Sequence, residues 1–397
     1  MSSLYKLLLT LTLLAAAGII FAQPLDREHL NVGAQGRYSH VLDGQKIYEL
    51  LLNSTDYDVW GASVGFSTRP EDGGWYERAW NYPTFGIGFS YARMGSLDFK
   101  NNSRLGDVAN LFGWAEFDLI RTRNFRFGPL LELGLAFTGK TYDYLHNRYN
   151  VYIGSKVFAM IGTGLRAEWL FSPQWSLHAG AYLTHHSNGM LRSPNVGINE
   201  FAFGAGVRHY FAPTRFATQP TVAPEKPDDA RGLHVNVYAA AGVHSCPVEL
   251  DGILASTDPS RIPPARYRGV AGAELLWRYT PVFASGIGLD AEYAANAYRD
   301  TDLLLKGRED PRGYSPWRAG IYLMQEFRYR QLSAHLIFGA YLFKRSGLSE
   351  DVGSTFLKIG TRYHFRRAGG LYAGLDMRAH YFDRSYCLEW SLGYSFL

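Results

Sequence analysis

QWSLHAGAYLTHHS, residues 174–187, alternates with period two over its whole length. Its odd positions are Trp175, Leu177, Ala179, Ala181, Leu183, His185 and Ser187; its even positions are Ser176, His178, Gly180, Tyr182, Thr184 and His186. Successive side chains of a strand leave opposite faces, so one face here is largely apolar and the other polar and small. The pattern recurs in roughly 16 segments of about 9–15 residues, the length of a membrane-crossing strand. Residues 371–381 are a second clear case, with Leu371, Ala373, Leu375 and Met377 opposite Gly374, Asp376, Arg378 and His380. Along the chain Glu132, Lys140, Glu168, Arg208, Glu274, Arg278, Asp290, Glu292, Arg318, Glu326, Lys358, Arg362 and Glu389 are all assigned to the face that carries the glycines. Charges of both signs interleaved with glycine suit a polar barrel interior, while the aliphatic and aromatic face meets lipid. A soluble sandwich buries one face and bathes the other, and it rarely keeps this alternation over so many segments. The expected fold class is therefore all-β, a transmembrane antiparallel β-barrel.

Connection lengths point the same way. Short ones at 121–124, 171–174, 279–282 and 366–369 alternate with long ones at 141–152 and 245–267, as periplasmic turns alternate with outer loops in such barrels. Residues 68–82 form a long connection where a short one is expected. At the N-terminus Lys6 precedes an apolar run from Leu7 to Ala22, which reads as a secretory signal over residues 1–22. No later apolar stretch approaches the ~20 residues of a spanning helix. The formal net charge of +4 gives no ground for a nucleic-acid partner. Together these features place the chain in the outer membrane of a Gram-negative bacterium. The end, Leu392-Gly393-Tyr394-Ser395-Phe396-Leu397, resembles the terminal signal that the barrel-assembly machinery reads.

Residues 212–231, APTRFATQPTVAPEKPDDAR, interrupt the alternation with four prolines and read as a periplasmic linker. About eight strands lie on each side of it, in residues 23–211 and 232–397. Two tandem eight-stranded barrels are preferred over a single 16-stranded one. Cys246 and Cys387 flank the first and last strands of the second half, and by parity both point inward near the outer end. If they form a disulfide, their Cα atoms lie within about 7 Å and the second half closes on itself. The other reading is two unpaired thiols.

His185 and Ser187 leave the same lipid-facing side near the outer end of their strand. A serine beside an imidazole is the minimum for an activated nucleophile with a general base. Asn199, at the start of the next strand, shares its face with Phe201, Phe203, Ala205 and Val207, so it too points outward and could orient His185. Glu200, the alternative acid, falls with Ala202, Gly204, Gly206 and Arg208 inside the barrel. Asn188 and the amides around Gly189 and Met190 are candidate oxyanion donors. The bland alternative is a polar strand end with a girdle histidine. No metal cluster is apparent.

The run His185-His186-Ser187-Asn188-Gly189, followed by Pro194-Asn195-Val196-Gly197-Ile198, resembles the outer-membrane lipid A deacylases of the PagL, or acyloxyacyl hydrolase-like, family. The resemblance covers roughly residues 30–211, and it implies His185 as base, Ser187 as nucleophile and Asn188 as oxyanion donor. It also implies an eight-stranded barrel that hydrolyses ester-linked acyl chains of lipid A, the lipopolysaccharide anchor of the outer leaflet, without a cofactor. The second half, with residues 375–380 and 389–394, looks like the C-terminal part of longer members. It has no His-x-Ser, and His380 and Glu389 read there as part of an interior charge network rather than a second site. Asn199 departs from the family, which has glutamate at that position. A Ser–His–Asn set after HxSNG also resembles outer-membrane phospholipase A, a calcium-dependent enzyme. That is the alternative, together with a non-catalytic barrel acting as scaffold, adhesin or pore.

Overall fold

The structure is a computed structural model that describes residues 27–42, 51–72, 74–97, 99, 101–216, 231–245, 265–295, 315–345, 353–380 and 384–396. The expected signal segment and most of the linker fall outside these residues.

The first barrel contains β1 (Leu30–Val41), β2 (Asp56–Ser67), β3 (Thr84–Ala92), β4 (Val108–Glu116), β5 (Ile120–Arg121), β6 (Phe125–Thr138), β7 (Val157–Leu170), β8 (Trp175–Ser187) and β9 (Ile198–Tyr210). β5 is a two-residue strand paired with the start of β6. The other eight form one antiparallel ring, closed by β1 against β9 and by β4 against β6. The second barrel contains β10 (Gly232–His244), β11 (Arg266–Thr280), β12 (Phe283–Ala294), β13 (Trp317–Tyr329), β14 (Leu332–Phe343), β15 (Thr355–His364), β16 (Leu371–His380) and β17 (Arg384–Phe396). It closes through β10 against β17, from Val235 opposite Phe396 to Val243 opposite Leu388. Each half thus completes its own ladder, which leaves no sheet edge for lipid to meet. The fold is two tandem eight-stranded barrels.

The alternation seen in sequence is the alternation of exposure. Trp60, Phe89, Leu111, Leu165, Leu177 and Phe203 stand exposed around the first wall, and Trp277, Leu289, Leu323 and Leu392 around the second. Interiors are filled by ion pairs. In the first barrel Arg208 bonds Glu116 at 2.8 Å and Glu168 at 2.9 Å, and Arg126 bonds the same two carboxylates. In the second, Arg378 reaches Asp290 and Glu389, Lys358 reaches Asp290, and Arg362 grips Glu274 through both guanidinium arms. Buried charges persist only when they are paired in this way. His380 and Glu389 belong to this interior, the imidazole beside Tyr341 and the carboxylate on Arg378.

Two expectations change. Lys140, assigned to the inward face, lies beyond the end of β6 at Thr138 and is exposed, because strand parity stops with the strand. Residues 68–82 are a folded connection with a 3-10 turn, Pro70–Asp72, and a short helix, Trp75–Ala79. The segment is tied at the end of the first barrel opposite the one where His185 lies. Asn81 donates to Asp118 O at 2.7 Å, and Arg121 Nη1 donates to Tyr82 O at 3.0 Å. Cys387 is a buried free thiol 3.4 Å from Glu389 Oε1, and Cys246, its expected partner, lies outside the described residues.

Candidate active site

β8 and β9 pair antiparallel with His185 opposite Asn199. The register places both on the outer wall, since Leu183 and Phe203 on the same faces are exposed. Asn199 Oδ1 accepts from His185 Nδ1 at 2.7 Å, so Nδ1 carries the proton and Nε2 keeps the lone pair that a general base needs. The Asn199 carbonyl accepts from Leu42 N at 2.8 Å, which anchors the orienting residue to the end of β1 as well. One residue further on, everything is inside. Glu200 is buried, with Oε1 3.9 Å from His186 Nδ1, and His186 Nε2 meets Asn110 Oδ1 at 3.0 Å. The two histidines of HHSNG therefore belong to different environments.

Ser187 ends β8 where the chain turns. It is buried, and its Oγ accepts from Gly189 N at 3.0 Å and from Asn195 Nδ2 at 2.8 Å and lies 3.2 Å from Ser385 Oγ, within hydrogen-bond distance; it has no hydrogen bond with His185. Asn195 is the residue whose part here the sequence reading did not assign. Its Oδ1 accepts from Asn188 N at 3.1 Å, and that bond turns the amide so that Nδ2 faces Ser187. Asn188 uses its own Nδ2 on Arg192 O at 2.8 Å. The signal for Asn195 was its place in the Pro-Asn-x-Gly-Ile run, but only the folded loop brings it back across eight residues to the serine.

The turn needs unusual backbone. Gly189 and Met190 both have φ of 60°, the left-handed region, which costs a non-glycine residue such as Met190 energy. Gly197 has φ of 78°, and a Cβ there would lie 3.1 Å from His185 Cε1 and from His186 O. Glycine is required at 197 both for the turn and to leave room for the imidazole.

A barrel wall whose outer face carries an imidazole oriented by a side-chain amide, with a buried serine ending the same strand, defines a class: outer-wall β-barrel proteins with a candidate nucleophile site. The chain belongs to the lipid A deacylase family within that class. Residues 47–208 match the family model described as lipid A 3-O-deacylase (PagL), and residues 233–397 match the one described as acyloxyacyl hydrolase, C-terminal domain. Both descriptions name hydrolases. Barrel fold and family together are consistent with an outer-membrane protein. Among curated proteins no sequence match is found. Solved structures similar to the chain include neisserial surface protein A, at 12% identity and TM-score 0.28 over 46% of this chain and 96% of that one. Another is a mutant Rhodopseudomonas blastica porin, at 9% identity and TM-score 0.16 over 92% and 99%. At these TM-scores neither likeness carries weight.

Proposed function

We propose that this chain is an outer-membrane serine esterase that hydrolyses ester-linked acyl chains of lipid A in the outer leaflet of a Gram-negative bacterium. The observation that supports it most is the 2.7 Å bond from His185 Nδ1 to Asn199 Oδ1 on an apolar outer wall. A hydrogen-bonded polar pair is uncommon on a wall that meets lipid, which supports a working role for it. Ser187 Oγ attacks the ester carbonyl while His185 Nε2 takes its proton, and the imidazolium returns a proton to the departing sugar hydroxyl. Water then attacks the acyl-Ser187 carbonyl with His185 again as base, releasing the fatty acid. The serine–histidine bond forms in the loaded site, as catalytic hydrogen bonds often do. Gly189 N–H and Asn195 Nδ2, which donate to Ser187 Oγ in the free site, are the donors that would turn to the oxyanion forming beside it, and Asn188 N holds Asn195 through its Oδ1.

The test is mass spectrometry of lipid A from cells expressing the wild-type chain or Ser187→Ala. The wild type should give lipid A lighter by one acyl chain. The variant should give unchanged lipid A with the barrel still folded, and unchanged lipid A in both would end the proposal. Asn199 favours a second reading, phospholipase A. Purified protein assayed on phospholipid and on lipid A, with and without calcium, separates the two. Cleavage of phospholipid alone, and only with calcium, selects the phospholipase.

A further inference from the structure

We propose that Gly154, on the β6–β7 loop, is a positioning residue for the Ser187 site, an inference that rests on the serine-esterase reading above. The loop is internally braced. Tyr142 N donates to Ile153 O at 2.9 Å, and Asp143 Oδ1 accepts from Leu145 N and His146 N at 2.9 and 2.8 Å. Those two N–H groups, His146 first, hold the Asp143 carboxyl below the usual carboxylate range and keep it ionised in its turn. The braced loop touches the segment after Ser187. Val196 N donates to Val151 O at 3.1 Å, which pins the residue next to Asn195. Gly154 lies so close that a Cβ on it would clash with Pro194 O and come within 2.8 Å of Arg192 O.

Those two carbonyls belong to the machinery around the serine. Arg192 O is the acceptor that fixes Asn188 Nδ2, and Pro194 O is in the peptide bond that leads into Asn195. Asn195 in turn donates to Ser187 Oγ. Gly154 has no left-handed backbone to maintain, since its φ is not among the positive ones. The missing side chain is therefore needed for close approach alone. Any side chain at 154 pushes the 192–195 segment outward by a fraction of an ångström to an ångström, and with it the amide that faces Ser187. Misplacement of that size costs up to about 10²-fold in rate without touching the reacting atoms.

The experiment uses full-length protein in detergent micelles, with steady-state hydrolysis of a p-nitrophenyl acyl ester, the rate of Ser187 labelling by a fluorophosphonate, and the boiled-versus-unboiled gel shift as the test of a folded barrel. Gly154→Ala should keep the shift, leave KM within about twofold and lower kcat by about 10-fold, with Gly154→Val lower still, near 10²-fold. In the Asn195→Ala background Gly154→Ala should add little further loss, because the route to the serine is already cut. An unchanged kcat in Gly154→Ala, or losses that multiply fully in the double variant, overturns the positioning role. If the wild type neither cleaves the ester nor takes the probe, it is the esterase reading that has failed instead.

Discussion

Asn199 and Glu200 are neighbours whose side chains enter different solvents, and strand parity decides which of them can serve His185. Asn199 is exposed and 2.7 Å from the imidazole; Glu200 is buried with its nearest oxygen 3.9 Å from His186. Asn199→Ala leaves His185 free to rotate and to take either tautomer, so kcat should fall by about 10²-fold, toward the full worth of general-base help. Glu200→Gln should leave kcat within about twofold, since no part of that side chain reaches the outer wall. Kinetics on the two purified variants check both, and a reversed order would mean that the carboxylate reaches the imidazole. This distinction was legible in the sequence because it needs only the period of a strand. Asn195 was not. Its contact with Ser187 depends on the path of a loop whose left-handed residues, Gly189, Met190 and Gly197, set the return of the chain, and no periodicity records that path.

Among the elements, β8 and its neighbours show how an apolar outside and a charged inside come from one pattern. The interior residues were legible as a class, since nearly every charge assigned inward is buried. Their pairing was not, because Arg208 on β9 meets Glu116 on β4 from across the barrel. Lys140 shows where parity reasoning stops: it holds only within a strand, and strand ends cannot be read to the residue. The helix Trp75–Ala79 was hidden for another reason, since five residues are too few to give a helical period. Arg208 faces Glu116 and Glu168 at once, so Arg208→Met leaves two buried carboxylates short of a partner. It should destabilise the first barrel by about 3–5 kcal/mol, as breaking a buried pair does. A lowered urea midpoint for the gel-shift transition would show this, and a midpoint unchanged within error would mean that Arg126 and Arg166 already suffice for both acids.

At the scale of the molecule, the prolines of 212–231 and the halving of the strand count pointed to two barrels, and the closing ladders, β1 on β9 and β10 on β17, are what make them two. A ladder that closes on itself satisfies every strand within one half, so neither half needs the other to hide a sheet edge from lipid. Residues 23–216 and 232–397, expressed separately and refolded into detergent, should therefore each give a heat-modifiable band of its own. In a single 16-stranded barrel each half would carry two long unpaired strands, and neither would resist unfolding in detergent before boiling. The second fragment should cleave no ester whatever its stability, because its sequence carries no His-x-Ser. Ester cleavage by 232–397 alone would place an activity in the half that this sequence leaves without a nucleophile pair.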